Sequence, residues 1–323
     1  MITYSGYTNP VNIVIPSMSF TLSSTGDGSG VSTLTIRTFY NTVVILTGNA
    51  KFYTDLVGTL NESSTWNIAS GANRTIYLKG NSSDSTLIVP NNNLSYFEIG
   101  GTTNCVIIDG DITNMKYVTR FNVIGKNTLY GDITEFIDAT YIQLVDNEHI
   151  TGNISGLINL GLIVTSGFDD LTGDISNLVN LTQLETKGLY CTVSGSITGF
   201  TKLVVLEVGG LHTCSGHTQF MPDLSLIRGG GGTIDFSKLI YNTKLGVCQI
   251  GQFVQTSALV NQILSAFWAN KDYAKGWSER LITLNNINSG APTGQGIIDK
   301  AALQAYRSPN NNGAYSLWIV TTN

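Results

Sequence analysis

Apolar residues recur in fixed register from Gly110 onward, three positions apart, and the register resets every 21 or 22 residues. The markers are Gly110-Asp111-Ile112, Gly131-Asp132-Ile133, Gly152-Asn153-Ile154, Gly173-Asp174-Ile175 and Gly195-Ser196-Ile197, spaced 21, 21, 21 and 22 residues apart. Counting from each glycine, apolar side chains fall at +2, +5, +8 and +11. Gly173 gives Ile175, Leu178, Leu181 and Leu184; Gly152 gives Ile154, Leu157, Leu160 and Ile163; Gly195 gives Ile197, Phe200, Leu203 and Leu206. Gly110 and Gly131 give Ile112, Met115, Val118, Phe121 and Ile133, Phe136, Ala139, Ile142, and a weaker copy from Gly216 keeps Met221, Leu224 and Ile227. A chain patterned in this way buries its apolar side by stacking each repeat on the next, so the pattern predicts a solenoid.

Within each repeat the predicted strand spans +10 to +14, with +11 and +13 facing in. Period-two alternation then turns +10, +12 and +14 to the other, concave face. The polar residues so placed include the candidate contacts Arg120, Asn122, Tyr141, Gln143, Gln183, Glu185, Lys187 and Arg228, together with Ser166 and Glu207, and Leu162, Val164 and Val205 form an apolar middle. This face is the candidate binding surface.

The pattern changes at both ends. Residues 1–92 show no helical period but carry short β-branched or alternating runs (residues 12–15, 18–22, 32–38, 43–46, 66–69, 75–78 and 86–89) separated by polar turns, which predict a small β-sandwich. After Gln255 the intervals become three and four: Leu259, Val260, Ile263, Leu264 and Phe267 predict a helix with Ser257 as its N-cap. A strand at residues 280–284, a second helix at 297–306 and a last strand at 316–320 complete an α/β cap over the open end. The chain thus reads as mixed α/β, mostly β: a β-sandwich at 1–92, a solenoid at 93–250 and a capping region at 251–323.

The spacing and the Leu-x-x-Leu pattern resemble leucine-rich repeats, in the form with Leu-x-Gly-x-Ile after the strand. The stretch 47–79 and the closing Trp318-Ile319-Val320-Thr321-Thr322-Asn323 are similar to leucine-rich-repeat proteins of Bacteroidetes bacteriophages and related bacterial surface proteins. That resemblance implies a curved solenoid in a virion structural protein, a fibre, decoration or tail component. Its expected partners are other virion proteins, a second copy of the chain, and a glycan or protein on the host surface. A secreted or cell-surface adhesin and an intracellular scaffold are the alternatives.

Composition narrows this further. Charged residues make up 12% of the chain against 35 glycines, a balance suited to turn-rich β structure. A net charge of -5 argues against a nucleic-acid surface. No apolar run reaches the length of a membrane helix, and the start lacks the basic and apolar segments of a secretory signal. The expected location is therefore the virion, with the cell surface as the alternative.

Candidate chemistry is sparse. Cys105, Cys191, Cys214 and Cys248 are scattered and read as small buried apolar residues. Asp111, Asp132, Asn153 and Asp174 recur once per repeat, too thinly for a calcium cage, and suit a turn in which the side chain bonds the backbone. His212, Cys214 and His217 supply three zinc-type ligands where a closed site needs four. Asp169-Asp170 and Asp109-Gly110-Asp111 are acid pairs without matching catalytic partners, and there is no nucleophile motif or phosphate loop. No enzyme activity, cofactor or metal is expected.

Overall fold

A computed structural model of the chain describes the backbone of the strands between Ser17 and Pro90 and most of the chain from 94 to 322. Stretches such as 101–105, 210–212, 251–255, 272–279 and 285–289 lie outside the description, as do the run expected at 12–15 and every side chain before Leu94.

The repeats form a parallel β-solenoid of about six turns. Each turn contributes one strand to each of two sheets. The first sheet takes the strands expected at +10 to +14: Arg120–Ile124, Tyr141–Asn147, Leu162–Gly167, Gln183–Thr186, Val205–Val208 and Leu226–Gly229. They pair in parallel, and apart from a register shift between Val145 and Asn147 the phase is kept, so that Phe121, Ile142, Ile163, Leu184, Leu206 and Ile227 stand in one row. The second sheet is built from Thr128–Asp132, His149–Asn153, Asp170–Asp174, Thr192–Ser196 and Thr213–His217, which run through the repeat glycine itself.

Between the sheets the chain turns in steps of three. In the Gly131 repeat, Phe136 N–H donates to the Ile133 carbonyl and Ala139 N–H to the Phe136 carbonyl, and the same pair of bonds recurs in the Gly110, Gly173 and Gly195 repeats. With three residues per turn, every third side chain points the same way, which is why +2, +5 and +8 are apolar. Those residues are fully buried in five successive repeats. Bulk is balanced across rows: Ala139 lies one turn on from Phe136, whose ring meets Phe121 edge-on at 5.4 Å.

Both sheets continue past the first repeat into antiparallel strands. Leu94–Gly100 pairs in parallel with Arg120–Ile124 and antiparallel with Ser32–Thr38; Val106–Asp111 pairs in parallel with Thr128–Asp132 and antiparallel with Ser17–Ser24. At the other end the first sheet runs on through Val247–Gln249, Arg280–Thr283 and Tyr315–Thr321. Two helices accompany these strands, α1 (Ser257–Asn270) and α2 (Gln295–Ala305). The N-cap of α1 is Thr256, not Ser257: its hydroxyl accepts from Leu259 N–H at 3.2 Å, which moves the expected cap by one residue. Val260, Ile263, Leu264 and Phe267 of α1 join the core.

Candidate functional site

The first sheet's outward face holds the eight candidate contact residues, with Glu207 beside Glu185. The inward partners at +11 and +13 are buried, whereas Arg120, Tyr141, Gln143, Gln183, Glu185 and Arg228 are half-buried and Lys187 is exposed. Asn122 departs from this. It is 5% exposed, and its Oδ1 has no hydrogen-bond partner among the described residues.

The structure gathers these side chains into two closed groups. At one end the Arg120 guanidinium lies 3.4 Å from the centre of the Tyr141 ring, 3.5 Å from the Glu98 carboxylate and 3.1 Å from the Tyr96 hydroxyl. Tyr96 in turn donates to Glu98 at 2.5 Å, and Tyr141 donates to Gln143. Burial opposes the Arg120 charge, but Tyr141, Tyr96 and Glu98 more than offset it and hold its pKa above the ordinary value. At the other end Lys187 bridges Glu185 at 3.2 Å and Glu207 at 3.0 Å, Glu207 also meets Arg228 at 3.9 Å, and Arg228 donates to Gln249 at 2.5 Å. Burial pulls the Lys187 ammonium down, and its bonds to Glu207 and Glu185 reverse this to a net rise. Gln183 closes the group by donating to Glu185 at 2.5 Å. Between the two groups, Leu162 and Val164 lie half-buried in the sheet face, while Val205, also half-buried, stands beside Gln183 on the strand that carries Glu207, within the second group.

Three members of these groups were not visible in the repeat pattern. Tyr96 and Glu98 precede the first marker glycine and Gln249 follows the last regular repeat. The signal that finds them is strand register: Tyr96 pairs with Arg120, Glu98 with Asn122 and Gln249 with Arg228.

The acidic row after the glycines has a structural role. Asp111, Asp132, Asn153 and Asp174 each accept from the backbone N–H two residues on, at 2.7–2.9 Å. For Asp174 the bonds from Ser176 hold the carboxyl below its usual range. The hydroxyl at +3 completes a ladder, with Thr113, Thr134, Ser155 and Ser176 accepting from the backbone N–H at +1 of the next repeat at 2.7–3.2 Å.

Of the zinc-type residues, Cys214 is buried against the Val193 carbonyl, and His217 lies against the Phe220 ring at 5.4 Å; His212 is outside the described residues. Burial raises the Cys214 thiol to about 11 and the Cys248 thiol to about 12. Cys191 is also free and buried, and Cys105 lies outside the described residues. Among the described residues no group of three metal-type ligands comes together, and no helix is long and apolar enough to cross a membrane. The adjacent acids Asp169 and Asp170 part company: Asp169 is fully buried and Asp170 exposed. No protein-family model, curated protein or solved structure matches this chain.

Proposed function

We propose that this chain is a non-catalytic binding module of the leucine-rich-repeat kind, and that it serves as an exposed structural component of a bacteriophage particle. In this reading an N-terminal β-sandwich mates with the particle, the solenoid carries the contact face, and an α/β cap closes the far end. The partner is a protein, either a host-surface protein or a neighbouring virion subunit, including a second copy of this chain.

The arrangement of the first sheet's face carries the proposal. An apolar strip at Leu162 and Val164 lies between two groups of charged residues that neutralise each other, with Val205 adding apolar surface inside the second. Protein interfaces have this plan, with an apolar centre and a polar rim. Charges already paired cost less to cover than free ones.

The test uses purified particles. Mass spectrometry should find the chain at fixed stoichiometry, and Val164→Arg should lower its occupancy or the adsorption of the particle to host cells. Absence of the chain from particles would sink the virion assignment. Full occupancy and adsorption with Val164→Arg would sink the assignment of the face.

A further inference from the structure

The outer surface of the second sheet carries a different kind of site. Where the chain passes from the first sheet to the second, His149, Phe168, Asp170 and Tyr190 line an open cavity of about 480 Å³. They come from three successive repeats. Phe168 and Tyr190 both stand five residues before their glycines, and His149 and Asp170 both stand three before theirs. The shared offsets bring the two rings to 6.1 Å, tilted by 37°. The rings are 46% and 55% exposed, large values for aromatic side chains.

The polar side chains of the cavity have no partner among the described residues. Among the described residues, neither the His149 nor the Asp170 side chain makes a hydrogen bond or ion pair, unlike the charged residues on the first sheet's face. The floor is fixed from beneath. Phe168 N–H donates to the Asn147 carbonyl at 3.1 Å, the buried Asn147 amide donates to the Val123 and Val145 carbonyls at 3.2 Å, and the Cys191 thiol donates to the Asp169 carbonyl at 3.4 Å. A rigid floor under free polar groups and bare rings describes a surface ready for a ligand.

Two exposed ring faces call for a flat, apolar counterpart, and a free carboxylate beside an imidazole calls for hydroxyl groups. A pyranose ring offers both, with C–H bonds on its faces and hydroxyls around its edge. The span of three repeats is roughly 10 Å at ~4.8 Å per strand, enough for one or two such rings. An alkylammonium ion would also meet the rings and the carboxylate, but it needs ring faces closed around it. This cavity is open and would leave such an ion largely hydrated. We propose that His149, Phe168, Asp170 and Tyr190 form a saccharide subsite, with the rings stacking on a pyranose and Asp170 and His149 bonding its hydroxyls. The site is separate from the first sheet's face, and either assignment can fail without the other.

Saturation-transfer NMR on the full chain tests this with the methyl glycosides of glucose, galactose, mannose and N-acetylglucosamine, each at up to about 10 mM, a range that covers weak, shallow sites. At least one should receive saturation at its ring C–H protons. The Phe168→Ala/Tyr190→Ala variant should abolish that transfer, and Asp170→Asn should weaken binding about tenfold through loss of a charge-assisted hydrogen bond. Circular dichroism identifies any variant that fails to fold, and Asp170→Asn then decides alone. Transfer to none of the four glycosides, or transfer unchanged in the variants, overturns the proposal. So does binding of choline in place of every glycoside, which would make the cavity a cation site.

Discussion

A Cβ added at Gly173 would sit 2.7 Å from the Ser155 hydroxyl of the preceding repeat, and the residue's φ of 129° is one that other L residues rarely adopt. The glycine is thus required twice, by the close stacking of neighbouring turns and by its own backbone. Gly173→Ala should cost about 2–4 kcal/mol in urea unfolding. Gly199→Ala, whose Cβ would meet nothing nearer than Val179 at 3.5 Å, should change stability by no more than about 0.5 kcal/mol. Asp169 is the other residue with a measurable consequence. Burial raises its carboxyl from an ordinary 3.8 to about 8, the nearby Ile150 amide offsets only part of this, and neither oxygen has a partner of normal hydrogen-bond geometry among the described residues. Between those two values the folded chain keeps a proton that the unfolded chain has released. Stability therefore falls as pH rises from about 4 to about 8 and levels off above, by on the order of a few kcal/mol. Asp169→Asn should flatten that slope, and melting temperatures at pH 5 and pH 8 would show it. Equal slopes in the two proteins would mean that Asp169 is ionised and solvated in the folded chain.

At the scale of one repeat, stability divides between the buried rows and the hydroxyl ladder. Leu184→Ala should cost ~2–5 kcal/mol, because neighbours fixed above and below cannot collapse into the space. Ser155→Ala removes only the acceptor for Asp174 N–H, at 2.7 Å on an exposed edge, and should cost about 1 kcal/mol. Chemical denaturation separates these two values. The buried rows were legible in the sequence because a strict three-residue step leaves no other way to hide Ile175, Leu178 and Leu181. The strand through each glycine was not, since Gly, Asp and Asn are poor strand formers and the segment reads as a turn. The row Leu129, Ile150, Leu171, Val193, Cys214, buried two residues before each glycine, was the overlooked sign of it. The first sheet's face followed from alternation alone. Its pairing did not, because ion pairs depend on which residues the register sets side by side, and Tyr96, Glu98 and Gln249 lie outside the repeating segment. The cavity at Phe168 and Tyr190 escaped notice because each ring lies in the linking turn, where the apolar period is silent.

For the molecule as a whole, the two sheets run unbroken from antiparallel strands into parallel ones. Removing residues 1–92 would strip Ser32–Thr38 from Leu94–Gly100 and Ser17–Ser24 from Val106–Asp111. Two open strand edges would remain, each a template for another chain. The truncated protein should therefore form larger species than the full chain at equal concentration, as light scattering behind size exclusion would report. An unchanged mass would show that the parallel repeats close their own edge. The bonds between repeats carry a last consequence, which concerns the gene. The +1 residue bonds the backbone two positions on, and the +3 hydroxyl reaches the next turn identically from Thr113 to Ser176. Any interior turn can therefore dock on any other. Slippage during replication could delete or copy one turn in frame, and the joined chain would still find its partners in register. Lineages of this protein should accordingly differ in length by whole turns, gaining or losing reach while both ends stay constant.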